Sequence, residues 1–223
     1  MIFPPNGLPR VVLSDMDGLL LDTEKLSKQS FDHMAMTHGL TNADDIFPQL
    51  IGRNKAAHQI VFDQTLPQEI NRQTFADDWM ACYLELLADH VPVKDGALAL
   101  MQRMQDHGIP FVVVTSSATA KAEMLLERAG LSGFIHNIIG GDQVDQGKPA
   151  PDIYLKAAAM FDHPIKTMLA LEDSNNGIFA AYHSGAVAVQ IPDLAPPSDD
   201  AKALGHVILD HLDDLAGHFG WPL

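Results

Sequence analysis

The chain is organised around Val11-Val12-Leu13-Ser14-Asp15-Met16-Asp17-Gly18-Leu19-Leu20-Leu21-Asp22-Thr23. Val11, Val12 and Leu13 follow Pro9 as an apolar, β-branched run and have the character of a strand buried on both faces. Asp15 and Asp17 stand where that strand should end, and Gly18 permits a sharp turn out of it. In open parallel sheets ligands collect beyond the carboxyl ends of strands, so both carboxylates are placed for chemistry. An Asp-x-Asp-Gly turn alone is also an ordinary acidic turn, and the rest of the chain has to decide between the two.

From Val91 onward strands and helices alternate. Asp95 is expected to cap a helix carrying Ala97, Leu100, Met101 and Met104, and Phe111 to Val114 reads as a buried strand running into Thr115-Ser116-Ser117. A helix with Met124, Leu125 and Ala129 ends at Gly130, and a short strand follows over Ile135 to Ile139. Gly147-Lys148-Pro149 precedes a helix through Ala157 and Phe161. Met168 to Leu171 is the next strand, closing in Glu172-Asp173, and Ala186 to Ile191 and Val207 to Leu209 are the last strands. Such alternation argues for a parallel sheet covered on both faces.

Between Thr23 and about His90 the pattern is helical throughout. Thr23 to His38 bears Leu26, Phe31, Met34 and Ala35 on one stripe, with Asp22 or Thr23 as its cap and Gly39 at its end. Asn54 is placed to cap a helix with Ala57, Ile60 and Val61. Pro67 is expected to open a longer helix, whose Phe75, Trp79, Cys82, Tyr83, Leu86 and Leu87 recur at spacings of three and four. Packing between helices is the reading of that aromatic stripe. The expected organisation is therefore an α/β, Rossmann-like parallel-sheet core over residues 1–22 and 95–223, with an all-helical cap inserted over residues 23–94, hinged on either side.

Composition narrows the function. The 223 residues are 47% hydrophobic and 19% charged, enough for a proper core. Lys plus Arg number 14 against 29 Asp plus Glu, a formal charge of −15 that opposes binding to nucleic acid or to an anionic membrane. A phosphate-bearing substrate then needs local positive charge, so single lysines and arginines are informative. Cys82 is the sole cysteine, no apolar run reaches transmembrane length, and the start Met-Ile-Phe-Pro-Pro-Asn-Gly lacks the regions of a signal peptide, so a cytoplasmic setting is expected. Composition leaves the oligomeric state open.

Polar residues follow the strands: Asp15 and Asp17, Thr115 and Ser116, Lys148, and Glu172 with Asp173. Singly each has a structural role available, as a helix cap, a surface lysine or a helix-dipole partner. Brought to one sheet edge they form a site of carboxylates, hydroxyls and one amine. Carboxylates alone repel phosphate; Mg²⁺, a hard cation with oxygen ligands, bridges the two. Lys148 adds a second positive charge, and the hydroxyls and amides near Ser116 donate to the remaining oxygens. That set suits phosphoryl transfer to a carboxylate.

With these residues in place the chain resembles the haloacid dehalogenase-like superfamily, in the branch with β-phosphoglucomutase and phosphoglycolate phosphatase. Asp15-Met-Asp17-Gly18, Thr115-Ser116, Lys148-Pro149 and Glu172-Asp173 match its four motifs, and the likeness extends to the helical insertion. The resemblance implies an Mg²⁺-dependent phosphatase of a small phosphorylated metabolite. Asp15 is the implied nucleophile, forming an aspartyl phosphate, and Asp17 the implied acid and base. The implied metal ligands are the Asp15 carboxylate, the Asp17 carbonyl and Asp173, with Glu172 direct or through water, while Lys148 offsets crowded charge. Whether Thr115 or Ser116 supplies the second-motif hydroxyl stays open.

Gly18, Thr23, Ser116 and the loop Gly52-Arg53-Asn54-Lys55 complete the expected substrate contacts. Arg53 or Lys55 would pair with a second anionic group or sugar hydroxyls. Dehalogenases lack an acid two residues after the nucleophile, so Asp17 counts against that reaction. Mutases of this branch carry a histidine where Ser27 stands, which favours a phosphatase over a sugar-phosphate mutase. A signalling receiver domain shares Asp, hydroxyl and Lys but is shorter and lacks both the helical insertion and the second carboxylate.

Overall fold

The computed structural model describes residues 7–53, 55–89 and 91–221, the side chain of residue 89 excepted. The expected cap at Asn54, the signal-free reading of residues 1–6 and the His90 end of the helical block lie outside the described residues.

Strand β1 (Val12–Ser14) is followed by four helices, α1 (Thr23–Thr37), α2 (Ala43–Ile46), α3 (Lys55–Thr65) and α4 (Arg72–Asp89). The chain then continues as α5 (Ala97–Asp106), β2 (Phe111–Thr115), α6 (Thr119–Arg128), β3 (Asn137–Gly140), α7 (Asp152–Ala158) and β4 (Leu169–Glu172). It closes with α8 (Asn175–Ser184), β5 (Val187–Gln190), α9 (Asp199–Ala203), β6 (Val207–Ile208) and α10 (Asp214–Phe219). The strands form one 6-stranded sheet in the order β3-β2-β1-β4-β5-β6, every pairing parallel.

β1 lies between β2 and β4, with Val12 opposite Phe111 and Leu169 and Ser14 opposite Val113 and Leu171. Successive side chains point to opposite faces, which is why a continuous apolar run was needed. Val12 and Val113 join the layer with Met101, Met104, Leu125 and Leu215; Leu13, Val112 and Val114 join the layer with Ile153, Tyr154, Ile178 and Ala201. Each Val, Leu, Ile or Met side chain fully buried here stabilises the fold by roughly 1.5–3 kcal/mol. This sandwich fixes where the strands stop, and so where their polar ends meet.

The inserted helices have a core of their own, built on Phe31, Phe47, Phe62, Phe75 and Trp79. Phe31 meets Trp79 edge-on at 5.2 Å between centroids and Phe75 at 5.5 Å. The Trp79 indole N–H donates to the Ser27 carbonyl and to Ser30 Oγ, at 3.1 and 3.0 Å. Phe75 and Trp79 of the aromatic stripe thus pack between helices, as their spacing implied, whereas Tyr83 and Leu87 pack against the core beside the sheet. Both links to the sheet run side by side: Leu21 and Val93 form an antiparallel bridge, the Asp22 amide donates to the Pro92 carbonyl, and the Lys94 amide to the Leu20 carbonyl. Lys94 Nζ lies 2.6 Å from Asp193 Oδ1 and 3.5 Å from Asp22 Oδ1, pinning both links to the core.

Several expected boundaries shift. The first strand begins and ends one residue later than Val11–Leu13, and the third runs over Asn137–Gly140 instead of Ile135–Ile139. Pro67 does not open α4. Arg72 folds its guanidinium back onto the Leu66, Pro67 and Ile70 carbonyls, which makes that segment a turn. Asp95 does not cap α5; Gly96, at φ 81°, occupies the cap position without a side-chain bond. Asp22 precedes α1 but its carboxylate takes the Lys25 ammonium and caps no amide.

Candidate active site

β1 delivers Asp15 to the middle of the sheet edge, where its amide donates to the Leu171 carbonyl at 2.9 Å. Lys148 reaches the same point from the segment before α7. Its Nζ lies 2.5 Å from Asp15 Oδ1 and 2.5 Å from Glu172 Oε1, and also donates to the Val114 carbonyl at 2.9 Å. Only 2% of the Lys148 side chain is exposed, so this is no surface lysine. The Tyr154 hydroxyl donates to Glu172 Oε1 at 2.6 Å, placing Glu172 behind the lysine as its buried counter-charge.

Asp17 faces away from that group. Thr23 Oγ1 donates to Asp17 Oδ1 at 2.8 Å, and Ser117 Oγ donates to Oδ2 at 3.0 Å. Thr115 Oγ1 lies 3.4 Å from the same Oδ2 and accepts the Ser117 amide at 3.0 Å. Thr115 is the last residue of β2 and buried, whereas Ser116 lies one step beyond it on the cavity wall. The hydroxyl that meets Asp17 most closely from this loop belongs to Ser117, which the strand pattern did not single out.

Asp15, Glu172 and Asp173 are buried, with ligand oxygens all within 4.8 Å of one another. Burial drives the Asp15 carboxyl well above its usual range; Lys148 opposes this, while Glu172 and Asp17 add to it. Asp173 is pushed up likewise, by burial and then by the charges of Asp15 and Glu172. Burial alone would lower the Lys148 ammonium, but Asp15 and Glu172 outweigh it and hold it above its ordinary value. One ammonium among these carboxylates leaves an oxygen-lined, electron-rich pocket. That donor set fits a hard divalent cation such as Mg²⁺ better than a soft one.

Gly18 explains itself here. Its φ is +85°, and a Cβ would come within 2.5 Å of Asp173 Oδ2, so only glycine lets the turn pass beside that carboxylate. Gly52 plays the matching part in the inserted helices. At φ +67° it presses against Ser174, to whose Cβ an added Cβ would come within 2.8 Å. The helical region thus touches the sheet edge across the site.

Between them is a cavity of about 480 Å³ whose wall includes Asp15, Asp17, Thr23, Arg53, Lys55, Thr115, Ser116, Lys148 and Asp173. Gly18 and Glu172 stand behind it. Ser27, Glu24, Tyr83 and Lys121 also line it and were not anticipated as site residues, apart from the comparison drawn at Ser27. Glu24 is pushed up to about 8 by burial and by the charges of Asp17 and Asp193.

The fold and this constellation coincide with the result of comparison. The model of the haloacid dehalogenase-like hydrolases matches residues 9–185, and the chain belongs to that family. A Drosophila melanogaster protein named "Probable pseudouridine-5'-phosphatase" is 32% identical over 219 residues, covering 93% of this chain and 92% of its own. The Arabidopsis thaliana "(DL)-glycerol-3-phosphatase 2" is 30% identical over 222 residues, covering 95% and 91%. The solved structure of CbbY from Rhodobacter sphaeroides in complex with phosphate superposes with a TM-score of 0.75 at 24% identity, over 93% of this chain and 96% of that one. Among the described residues, no helix is long and apolar enough to cross a membrane.

Proposed function

We propose that this hydrolase is an Mg²⁺-dependent phosphatase that cleaves a small phosphomonoester, a sugar phosphate or similar metabolite, through a phosphoenzyme on Asp15. The observation that carries the proposal is the division of labour between two aspartates in one cavity. Asp15 is held by an ammonium 2.5 Å away, and Asp17 is turned aside by two hydroxyls at 2.8 and 3.0 Å. The first arrangement suits a nucleophile, the second a proton carrier.

In the first half-reaction an Asp15 oxygen bonds to phosphorus as the ester oxygen leaves, and Asp17 gives that oxygen its proton. In the second, Asp17 takes a proton from a water that attacks the same phosphorus, freeing phosphate and restoring Asp15. Asp15, Asp173 and the Asp17 carbonyl would hold the Mg²⁺, with Glu172 engaged by Lys148 and Tyr154. Bound there, the cation would neutralise charge on the transferred phosphate. Lys148 keeps Asp15 oriented and lowers the cost of crowding it against phosphate, while the Thr115 and Ser116 region donates to its free oxygens.

Arg53 and Lys55 line the wall opposite and would select the leaving group, through a second anion or sugar hydroxyls. Ser27 at the mutase histidine position, and relatives named as phosphatases, favour water over a second sugar as acceptor. We further place the core at residues 1–22 and 95–223 with the cap at 23–94, and the lone Cys82 suits a reducing cytoplasm. Phosphate release with Mg²⁺ from a panel of sugar phosphates, nucleotides and phosphorylated acids tests the reading. Asp15→Asn should abolish release from every one of them, and substantial residual hydrolysis in that variant would overturn the mechanism.

A further inference from the structure

Lys121 sits on α6, one turn past the hydroxyl loop, and its side chain lines the cavity beside residues of the inserted helices. Its Nζ lies over the Tyr83 ring of α4 at 4.9 Å from the centroid, so a core lysine rests on an aromatic residue of the helical region. Such a contact holds the ammonium in place without neutralising it. Lys28, Lys94 and Lys148 each find a carboxylate, whereas Lys121 makes no ion pair among the described residues. In a chain with a formal charge of −15, a partly buried cavity-wall cation with no salt bridge among the described residues stands out.

The surroundings keep that charge available. Glu24 lines the same cavity, and among the described residues no ion pair joins it to Lys121. His58 is driven lower by burial, and the charges of Lys121 and Arg53 both push it the same way. Lys121 and Arg53 therefore act on one stretch of cavity wall, the one in from the core and the other from the loop before α3. Asp15 is engaged instead by Lys148, whose Nζ lies 2.5 Å from its Oδ1, so Lys121 is a cavity-wall cation that the reacting carboxylate does not take up.

We propose that Lys121, resting on the Tyr83 ring, is the core's contribution to the leaving-group end of the cavity and binds a second anionic group of the substrate, a carboxylate or a second phosphate. This deepens the phosphatase reading and rests on it. The subsite is built from both sides, by Tyr83 of α4 and Lys121 of α6.

The test uses the full chain with Mg²⁺ and matched substrates: 3-phosphoglycerate against glycerol 3-phosphate, and ribulose 1,5-bisphosphate against ribulose 5-phosphate. p-Nitrophenyl phosphate, which has no second anion, is the reference. The wild type should prefer the anion-bearing member of one pair in kcat/KM, and which pair does so tells carboxylate from phosphate. Lys121→Met should cut that preference about 10- to 100-fold, mainly through KM, as expected for a lost hydrogen bond to a charged group. It should lose far less on p-nitrophenyl phosphate, and Lys121→Arg should keep the preference. Lys121→Gln supplies the same readout if the Met variant does not fold. No preference in the wild type, a preference that survives both neutral variants, or an equal loss on all substrates overturns the proposal. Absence of phosphate release from every wild-type reaction, p-nitrophenyl phosphate included, would instead remove the phosphatase reading itself.

Discussion

Ser117 Oγ donates to Asp17 Oδ2 at 3.0 Å, on the carboxylate oxygen that Thr23 leaves free. The pair joins a loop after β2 to the turn after β1, and it fixes the plane of the carboxyl that is to exchange protons. Ser117→Ala should slow turnover of alkyl phosphates by about 10- to 100-fold, since a hydrogen bond to a charged group is worth about 1.5–3 kcal/mol. p-Nitrophenyl phosphate, whose leaving group needs less protonation, should lose less. Steady-state kinetics on both substrates check this, and equal losses would mean that Ser117 does not act through Asp17.

Among the described residues Lys148 is the only ammonium against Asp15 and Glu172, and it is almost wholly buried. Lys148→Met should abolish activity and destabilise the metal-free protein by about 3–5 kcal/mol, the usual result of stranding buried charges. Mg²⁺ should raise the melting temperature of the wild type, because a ligand bound to the folded state alone stabilises it. Thermal melts with Mg²⁺ and with chelator decide both points.

Burial and the charges of Asp17 and Asp193 push the Glu24 carboxyl of the folded chain up to about 8, against an ordinary 4.5. The folded state thus keeps a proton that the unfolded chain releases, and stability attributable to this group falls as pH rises from about 4.5 to about 8. Glu24→Gln removes the ionisation. Its melting temperature should gain on the wild type steadily across that window and level off above it. Parallel melting curves for the two proteins from pH 5 to 9 would contradict the assignment.

Gly52→Val places a branched side chain where Ser174 already is, at a backbone conformation that costs an L-residue about 1–2 kcal/mol. The loop should be levered away from the sheet edge. The expected outcome is a larger fall in kcat/KM for a sugar phosphate than for p-nitrophenyl phosphate, with a melting temperature only a few degrees lower. A variant with unchanged kinetics would show that this contact is not used in closing the site.

Much of this was legible in the sequence because it is local. The apolar runs Val112 to Val114 and Leu169 to Leu171 are strands buried on both faces, and parallel order then brings their polar ends to one edge. Ser117, Tyr154 and Lys121 were not legible, since each acquires its partner only by convergence of distant segments. Tyr154 meets Glu172 across the packing of α7 on the sheet, and Lys121 meets Tyr83 across the whole helical insertion. The misplaced start of α4 has a similar cause. Proline suits a helical N-terminus, but the Arg72 guanidinium claims the carbonyls around Pro67 and turns that segment aside.

The antiparallel bridge between Leu21 and Val93 means that the chain leaves the sheet and re-enters it at nearly the same point. Topologically the four intervening helices are a side branch, and their length and shape impose nothing on the register of β1 with β2 and β4. A lineage can therefore lengthen, trim or exchange this branch by recombination at the bridged stems while Asp15 and Lys148 stay where they are. The part of the cavity wall that carries Arg53 and Lys55 can thus change in its own stretch of the gene, while Asp15, Lys148 and Lys121 stay with the sheet.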